Sequence, residues 1–97
     1  MRIRKLAILT ILFLTIAATA ISQKVYVYNQ QTGNPVANVA LFNTDHSKTG
    51  FTSSVGIADI SYFSDNEEII FQHPSYTSII LSKAAIAQLN FKVPLSE

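Results

Sequence analysis

The chain has no cysteine. That excludes a disulfide framework, a thiolate metal site and a thiol nucleophile. It also leaves no residue to carry a lipid behind an export signal, so a bacterial lipoprotein is excluded. Small secreted domains often rely on disulfides because their cores are small. This one folds on packing alone, or gains stability from what it is attached to. Charge is scarce too, at 13% of residues, and no long helical period, internal repeat or low-complexity tract is present. The 97 residues allow one domain at most.

The basic residues are unevenly placed. Arg2, Arg4 and Lys5 precede the apolar run Leu6 to Ile16, and Ala18, Thr19, Ala20, Ile21 and Ser22 supply small residues for cleavage. This is the pattern of a secretory signal peptide over residues 1–22, cut after Ser22, with Ala20 the alternative. An uncleaved anchor fits less well, because Leu6 to Ile21 is 16 residues, short of the ~18–20 that span a bilayer. The domain then occupies residues 23–97. Its four lysines, Lys24, Lys48, Lys83 and Lys92, face six carboxylates, for a net charge of −2. The +1 of the whole chain belongs to the signal, and no basic patch remains for nucleic acid or anionic lipid.

What is present is a series of short apolar segments between turn signals. Val25 and Val27 alternate with Tyr26 and Tyr28, the period of a half-buried strand. A polar run through Gly33 and Pro35 turns the chain into Val36–Phe42. Further strands are predicted over Lys48–Ser53, Ile57–Tyr62, Glu67–His73 and Tyr76–Leu81. Within Ile57–Tyr62, Ala58, Ile60 and Tyr62 share one face. Ile69, Ile70 and Phe71 make Glu67–His73 the central strand. Ser82 is placed to cap one helical turn over Lys83–Ala87. Leu89, Phe91, Val93 and Leu95 alternate in the last strand, which Pro94 places at an edge or ends. Strands at this spacing predict an all-β antiparallel sandwich or barrel. The predicted core is Val25, Val27, Val39, Leu41, Ile60, Ile69, Phe71, Phe91 and Val93.

No motif for chemistry stands out. His46 and His73 lie 27 residues apart without a third ligand nearby, a poor start for zinc. Asp65, Glu67 and Glu68 lack the loop pattern of a calcium site and read as a solvated turn. Ser47, Ser53, Ser54, Ser75 and Ser78 sit in no nucleophile elbow, so catalysis has no starting point. Gly50 and Gly56 lack the lysine and helix of a phosphate loop. Tyr26, Tyr28, Tyr62 and Tyr76 could stack on a sugar, but tyrosines on a sheet more often pack across strands. Accordingly no catalytic, cofactor-binding or metal residue is assigned.

Three stretches resemble carboxypeptidase regulatory-like domains. Thr32-Gly33-x-Pro35-Val36-x-x-Val39-x-Leu41 is similar to the opening motif of that family. Thr49 to Ile60 resembles its next segment through Thr52, Gly56 and Ile60, while Ser53 and Ala58 depart from it. Ile70 to Tyr76 resembles the step between two later strands. Together they span nearly all of residues 23–97, in order. The resemblance implies a transthyretin-like, Ig-like, seven-stranded Greek-key β-sandwich without catalytic residues. Such domains accompany metallocarboxypeptidases and also form the N-terminal extension of TonB-dependent outer-membrane receptors.

The expectation is therefore a non-catalytic accessory domain in the periplasm or at the outer membrane of a Gram-negative bacterium, serving nutrient uptake. It is either the leading piece of a receptor or free-standing. Expected partners are a receptor plug or linker, or a TonB-type energising protein, with no cofactor and no nucleic acid. The alternative is a carbohydrate- or peptide-binding module of a secreted carboxypeptidase-like system. Lacking other chemistry, the domain is expected to bind by adding a partner's strand at a sheet edge. The segments around Lys48–Ser53 and Pro94 are the expected edges.

Overall fold

A computed structural model describes residues 23–97. The predicted signal peptide, residues 1–22, lies outside the described residues. Among the described residues no helix is long and apolar enough to cross a membrane.

The described residues form seven strands and one short helix: β1 (Lys24–Asn29), β2 (Ala40–Phe42), β3 (Thr49–Phe51), β4 (Ile57–Asp59), β5 (Glu68–His73), β6 (Tyr76–Ser82), α1 (Lys83–Gln88) and β7 (Lys92–Leu95). They pair into two sheets, one in the order β4-β1-β7 and one in the order β3-β2-β5-β6. The inward residues of both sheets meet in one core. Val25, Val27, Val39, Leu41, Ile60, Ile69, Phe71 and Val93 are all buried there, joined by Val36, Ala58, Phe63, Ile86 and Leu95. Phe71 lies on β5 between β2 and β6, so the central strand is where the Ile69-Ile70-Phe71 run predicts it.

Four expectations need correction. First, the sandwich is not wholly antiparallel, because β7 pairs with β1 in parallel, Tyr26 opposite Lys92 and Val27 opposite Val93. A parallel neighbour requires a crossover rather than a hairpin; here the chain between β1 and β7 runs through the four-stranded sheet, and α1 returns it from β6 to β7.

Second, Val36–Phe42 is a strand only over Ala40–Phe42. Val36 to Val39 carries the chain from one sheet to the other, with Asn38 in the left-handed region at φ 61°. The apolar run reads like a strand because both ends of the crossing are buried.

Third, Leu89 and Phe91 do not belong to the last strand. Ser82 caps α1 as predicted, its Oγ accepting from the Ala85 N–H at 3.1 Å. At the other end Leu89 closes the helix, Asn90 and Phe91 adopt positive φ, and the Phe91 N–H donates to the Ile86 carbonyl. Phe91 is consequently half-buried, packed against the core rather than within it. Its apolar period came from helix-ending geometry, not from a pleat.

Fourth, Tyr62 does not share the core face of Ala58 and Ile60. The chain turns after Asp59, so Phe63 is buried and Tyr62 is 42% exposed.

Candidate functional site

The residues weighed for chemistry do not converge. His46 follows β2 in the loop beside the Ile70 end of the four-stranded sheet, whereas His73 ends β5 beside the Ala40 end. His46 stacks on Phe42 with centroids 4.6 Å apart. His73 Nδ1 accepts the Ser75 N–H at 3.1 Å and so fixes its own turn. Among the described residues no three histidine or carboxylate side chains lie together as metal ligands.

Asp65, Glu67 and Glu68 also part company. Glu67 binds inward: Oε2 accepts from Asn43 Nδ2 at 3.0 Å, and Oε1 accepts from Lys48 Nζ at 2.8 Å and from the Ser64 N–H at 3.0 Å. These bonds, that from Asn43 foremost, hold its pKa down at about 2. The carboxylate therefore stays charged while it ties the β2–β3 loop to the loop before β5.

Sequence reasoning missed the buried polar residues, which are all structural. Thr52 Oγ1 donates to the Val36 carbonyl at 2.7 Å and accepts the Val39 N–H at 2.9 Å. It thereby pins the crossing segment to the end of β3. Lys83 is buried, and its ammonium donates to the Phe63 carbonyl at 2.8 Å. Asn29 Oδ1 accepts from the N–H groups of Gln31 and Thr32, while Nδ2 donates to Tyr76 Oη and Glu97 Oε1. A lone Lys, Thr or Asn in a polar stretch carries no sequence signal for burial. Thr52 alone was singled out in the sequence, as a residue that carries the resemblance, with no reading of its burial.

Gly56 has φ +77°, and a Cβ there would stand 2.6 Å from the Val27 carbonyl oxygen. It is the contact that lets the β3–β4 turn lie directly on β1.

What remains for binding is the backbone at the sheet edges. The sequence predicts edges at Lys48–Ser53 and near Pro94, and β3 and β7 do lie at edges. Both are partly closed. On β3 the groups of Thr49 and Phe51 point outward, because Asn43 and Val39, flanking β2, bond to Lys48 and Thr52. The Tyr62 hydroxyl then donates to the Thr49 carbonyl at 3.0 Å. A side chain on Gly50 would overlap that hydroxyl, so the glycine lets Tyr62 wrap the edge. On β7 the Phe91 and Leu95 carbonyls accept from Tyr26 and Gln30, which turns Lys92 and Pro94 outward. Pro94 has no N–H to offer, and the Ser96 carbonyl already accepts the Thr77 N–H at 2.8 Å. On β4 the outward Ile57 carbonyl accepts the Ser53 N–H.

Two shallow depressions flank these edges. One, of about 600 Å³, lies on the outer face of the four-stranded sheet against Ala40, Phe51, Gln72, Pro74 and Ser78. The other, of about 260 Å³, lies beside Lys24, Tyr26, Ile57, Phe91 and Lys92. Of the four tyrosines, Tyr26 and Tyr28 stack, with ring planes 13° apart. Tyr62 and Tyr76 serve the contacts described above, to the Thr49 carbonyl and to Asn29.

No protein-family model matches the chain, and no curated protein or solved structure does so either.

Proposed function

We propose that the chain is a non-catalytic interaction domain of an exported protein, the periplasmic N-terminal extension of a TonB-dependent outer-membrane receptor for nutrient uptake. A seven-stranded Greek-key sandwich of the transthyretin-like kind, related to carboxypeptidase regulatory-like domains, is the fold reading that goes with it.

One observation carries this reading. The residues that make the family resemblance sit where the chain turns or changes sheet. Gly33 and Gly56 have positive φ, Val36, Val39 and Ile60 are buried, Thr52 bonds across the sheet change, and His73 and Tyr76 frame the β5–β6 turn. These residues specify a path for the backbone rather than a reaction. A second reading, a carbohydrate- or peptide-binding module, is favoured by the Tyr26–Tyr28 stack beside Lys24 and Lys92.

Expression of the full chain in a Gram-negative host, with fractionation and mass spectrometry, tests export. The expected product is periplasmic and begins at Gln23. An intact N-terminus in the membrane fraction overturns that expectation. Passing the product over an immobilised receptor plug and an immobilised TonB-type periplasmic domain tests the partner. Retention is expected on at least one. Retention on neither, with binding to an oligosaccharide array, decides for the second reading.

A further inference from the structure

The remaining edge, β6, differs from the other three. The Lys83 N–H donates to the Glu67 carbonyl, and Ile69 stands opposite Leu81 and Phe71 opposite Ile79. In an antiparallel pair the bonded positions alternate. Ile79, Leu81 and Lys83 therefore bond to β5, and the backbone groups of Ile80 and Ser82 turn away from it; beyond the register shift at Phe71/His73 the Thr77 N–H turns outward, to the Ser96 carbonyl. Among the described residues, the Ile80 N–H and C=O and the Ser82 N–H take no other backbone partner.

Edges are normally blunted by charge, proline, shortness or a covering element. β4 has three residues, and Tyr62 wraps β3. β7 carries Lys92 and Pro94. β6 has seven residues, Tyr76–Ser82, with no charge and no proline. Its outer side chains also continue a pattern. Phe42 stands opposite Ile70, and Ile70 opposite Ile80. This apolar row crosses three strands and stops at Ile80, which is 56% exposed. A further strand would set its own side chain next in that row.

We infer that the open edge of β6, centred on Ile80, receives an extended, uncharged peptide segment of a partner as a fifth strand, with an apolar side chain placed beside Ile80. Backbone bonds at Ile80 and Ser82 hold the segment, and the Phe42–Ile70–Ile80 row selects the apolar residue. The hydroxyl of Ser78 favours a small polar neighbour on one side, while that of Ser82 is taken up by the cap of α1. This inference rests on the interaction-domain reading and moves the contact from the edges the sequence suggests to one it does not.

The test uses the full chain, amide hydrogen exchange, and a seven-residue peptide alternating threonine and valine, with a backbone N-methylated copy as control. Added peptide is expected to slow exchange at Ile80 and Ser82, and the N-methylated copy to leave it unchanged. Ile80→Lys keeps the β5 bonds and is expected to weaken binding at least ~10-fold, the scale of losing one buried aliphatic contact, without lowering the melting temperature. Ile80→Pro removes the outward N–H together with the isoleucine side chain and is expected to weaken binding likewise. Slowing at Thr49 and Phe51 instead overturns the β6 assignment but leaves strand addition standing. Protection of Ile80 that rises with protein concentration in the absence of peptide overturns it in favour of self-association. Undiminished retention of the Ile80→Lys chain on the plug or the TonB-type domain overturns it while the interaction reading survives. Equal binding of the N-methylated peptide overturns backbone pairing altogether.

Discussion

The two open sides of this sandwich are built differently. On the side of β3 and β4, side chains close what the backbone leaves open. Tyr62 reaches the Thr49 carbonyl, Thr52 joins Val36 to Val39, and Asn43, Lys48 and Glu67 lock the loops together. On the side of β6 and β7, the backbone bond of Thr77 to Ser96 and the Asn29 bonds to Tyr76 and Glu97 draw the edges together at one end. Further along, the outward N–H and C=O of Ile80 and the Ser82 N–H take no backbone partner among the described residues. The contrast teaches that a cysteine-free domain can staple one flank along its length with side-chain hydrogen bonds and leave part of the other flank for pairing.

The most damaging test removes what both flanks share. Phe71 is fully buried on the central strand, and truncating a buried Phe costs ~3–5 kcal/mol. Phe71→Ala should unfold the isolated domain, erasing the difference between the flanks. A melting temperature near wild type would mean that the core does not depend on it.

Thr52→Val breaks the closed flank alone. The shape is kept, but the Val39 N–H and the Val36 carbonyl lose their partner, and each buried orphan costs ~1–3 kcal/mol. Denaturant unfolding should report the loss. Hydrogen exchange should quicken first at Val39 and in β3, before any change in β6.

Lys83→Met tests the strut between the flanks, since Lys83 begins α1 and holds the Phe63 carbonyl. A lost charged hydrogen bond is worth ~1.5–3 kcal/mol, partly offset here by the apolar fit of methionine. Unchanged stability would show that the ammonium contributes nothing net.

Glu67→Gln sharpens the comparison through acidity. The carboxylate has its pKa lowered from 4.5 to about 2 in the fold. Its stabilising effect is therefore complete above about pH 4.5 and is lost as pH falls through about 2. The gap in melting temperature between wild type and Glu67→Gln should be widest near neutral pH, shrink below pH 4.5 and vanish near pH 2. A gap independent of pH would place the effect elsewhere.

The smallest change expected is at Asn90, which has φ 58° at the end of α1. Glycine adopts that conformation without strain, so Asn90→Gly should leave stability within ~1 kcal/mol of wild type. Calorimetry would detect a larger drop, which would reveal an unnoticed role for the side chain.

Residue pattern alone determined much of this protein. Alternation in Val25–Tyr28 and the apolar run Ile69-Ile70-Phe71 specify strands whatever surrounds them, because a period of two has one buried solution. Ser82 as a cap, Gly33 as a turn and Pro94 at an edge follow from local geometry in the same way. The tertiary structure decided the rest. Whether Leu89 and Phe91 continue a pleat or end a helix depends on where α1 must hand the chain to β7 beside β1. Which of Tyr62 and Phe63 enters the core depends on where the chain turns after Asp59. The parallel pairing of β1 with β7 joins segments from opposite ends of the domain, beyond the reach of any local signal. The open edge at Ile80 was illegible for the same reason. A strand's sequence encodes which face is buried, but its neighbours decide which of its backbone groups go unpaired.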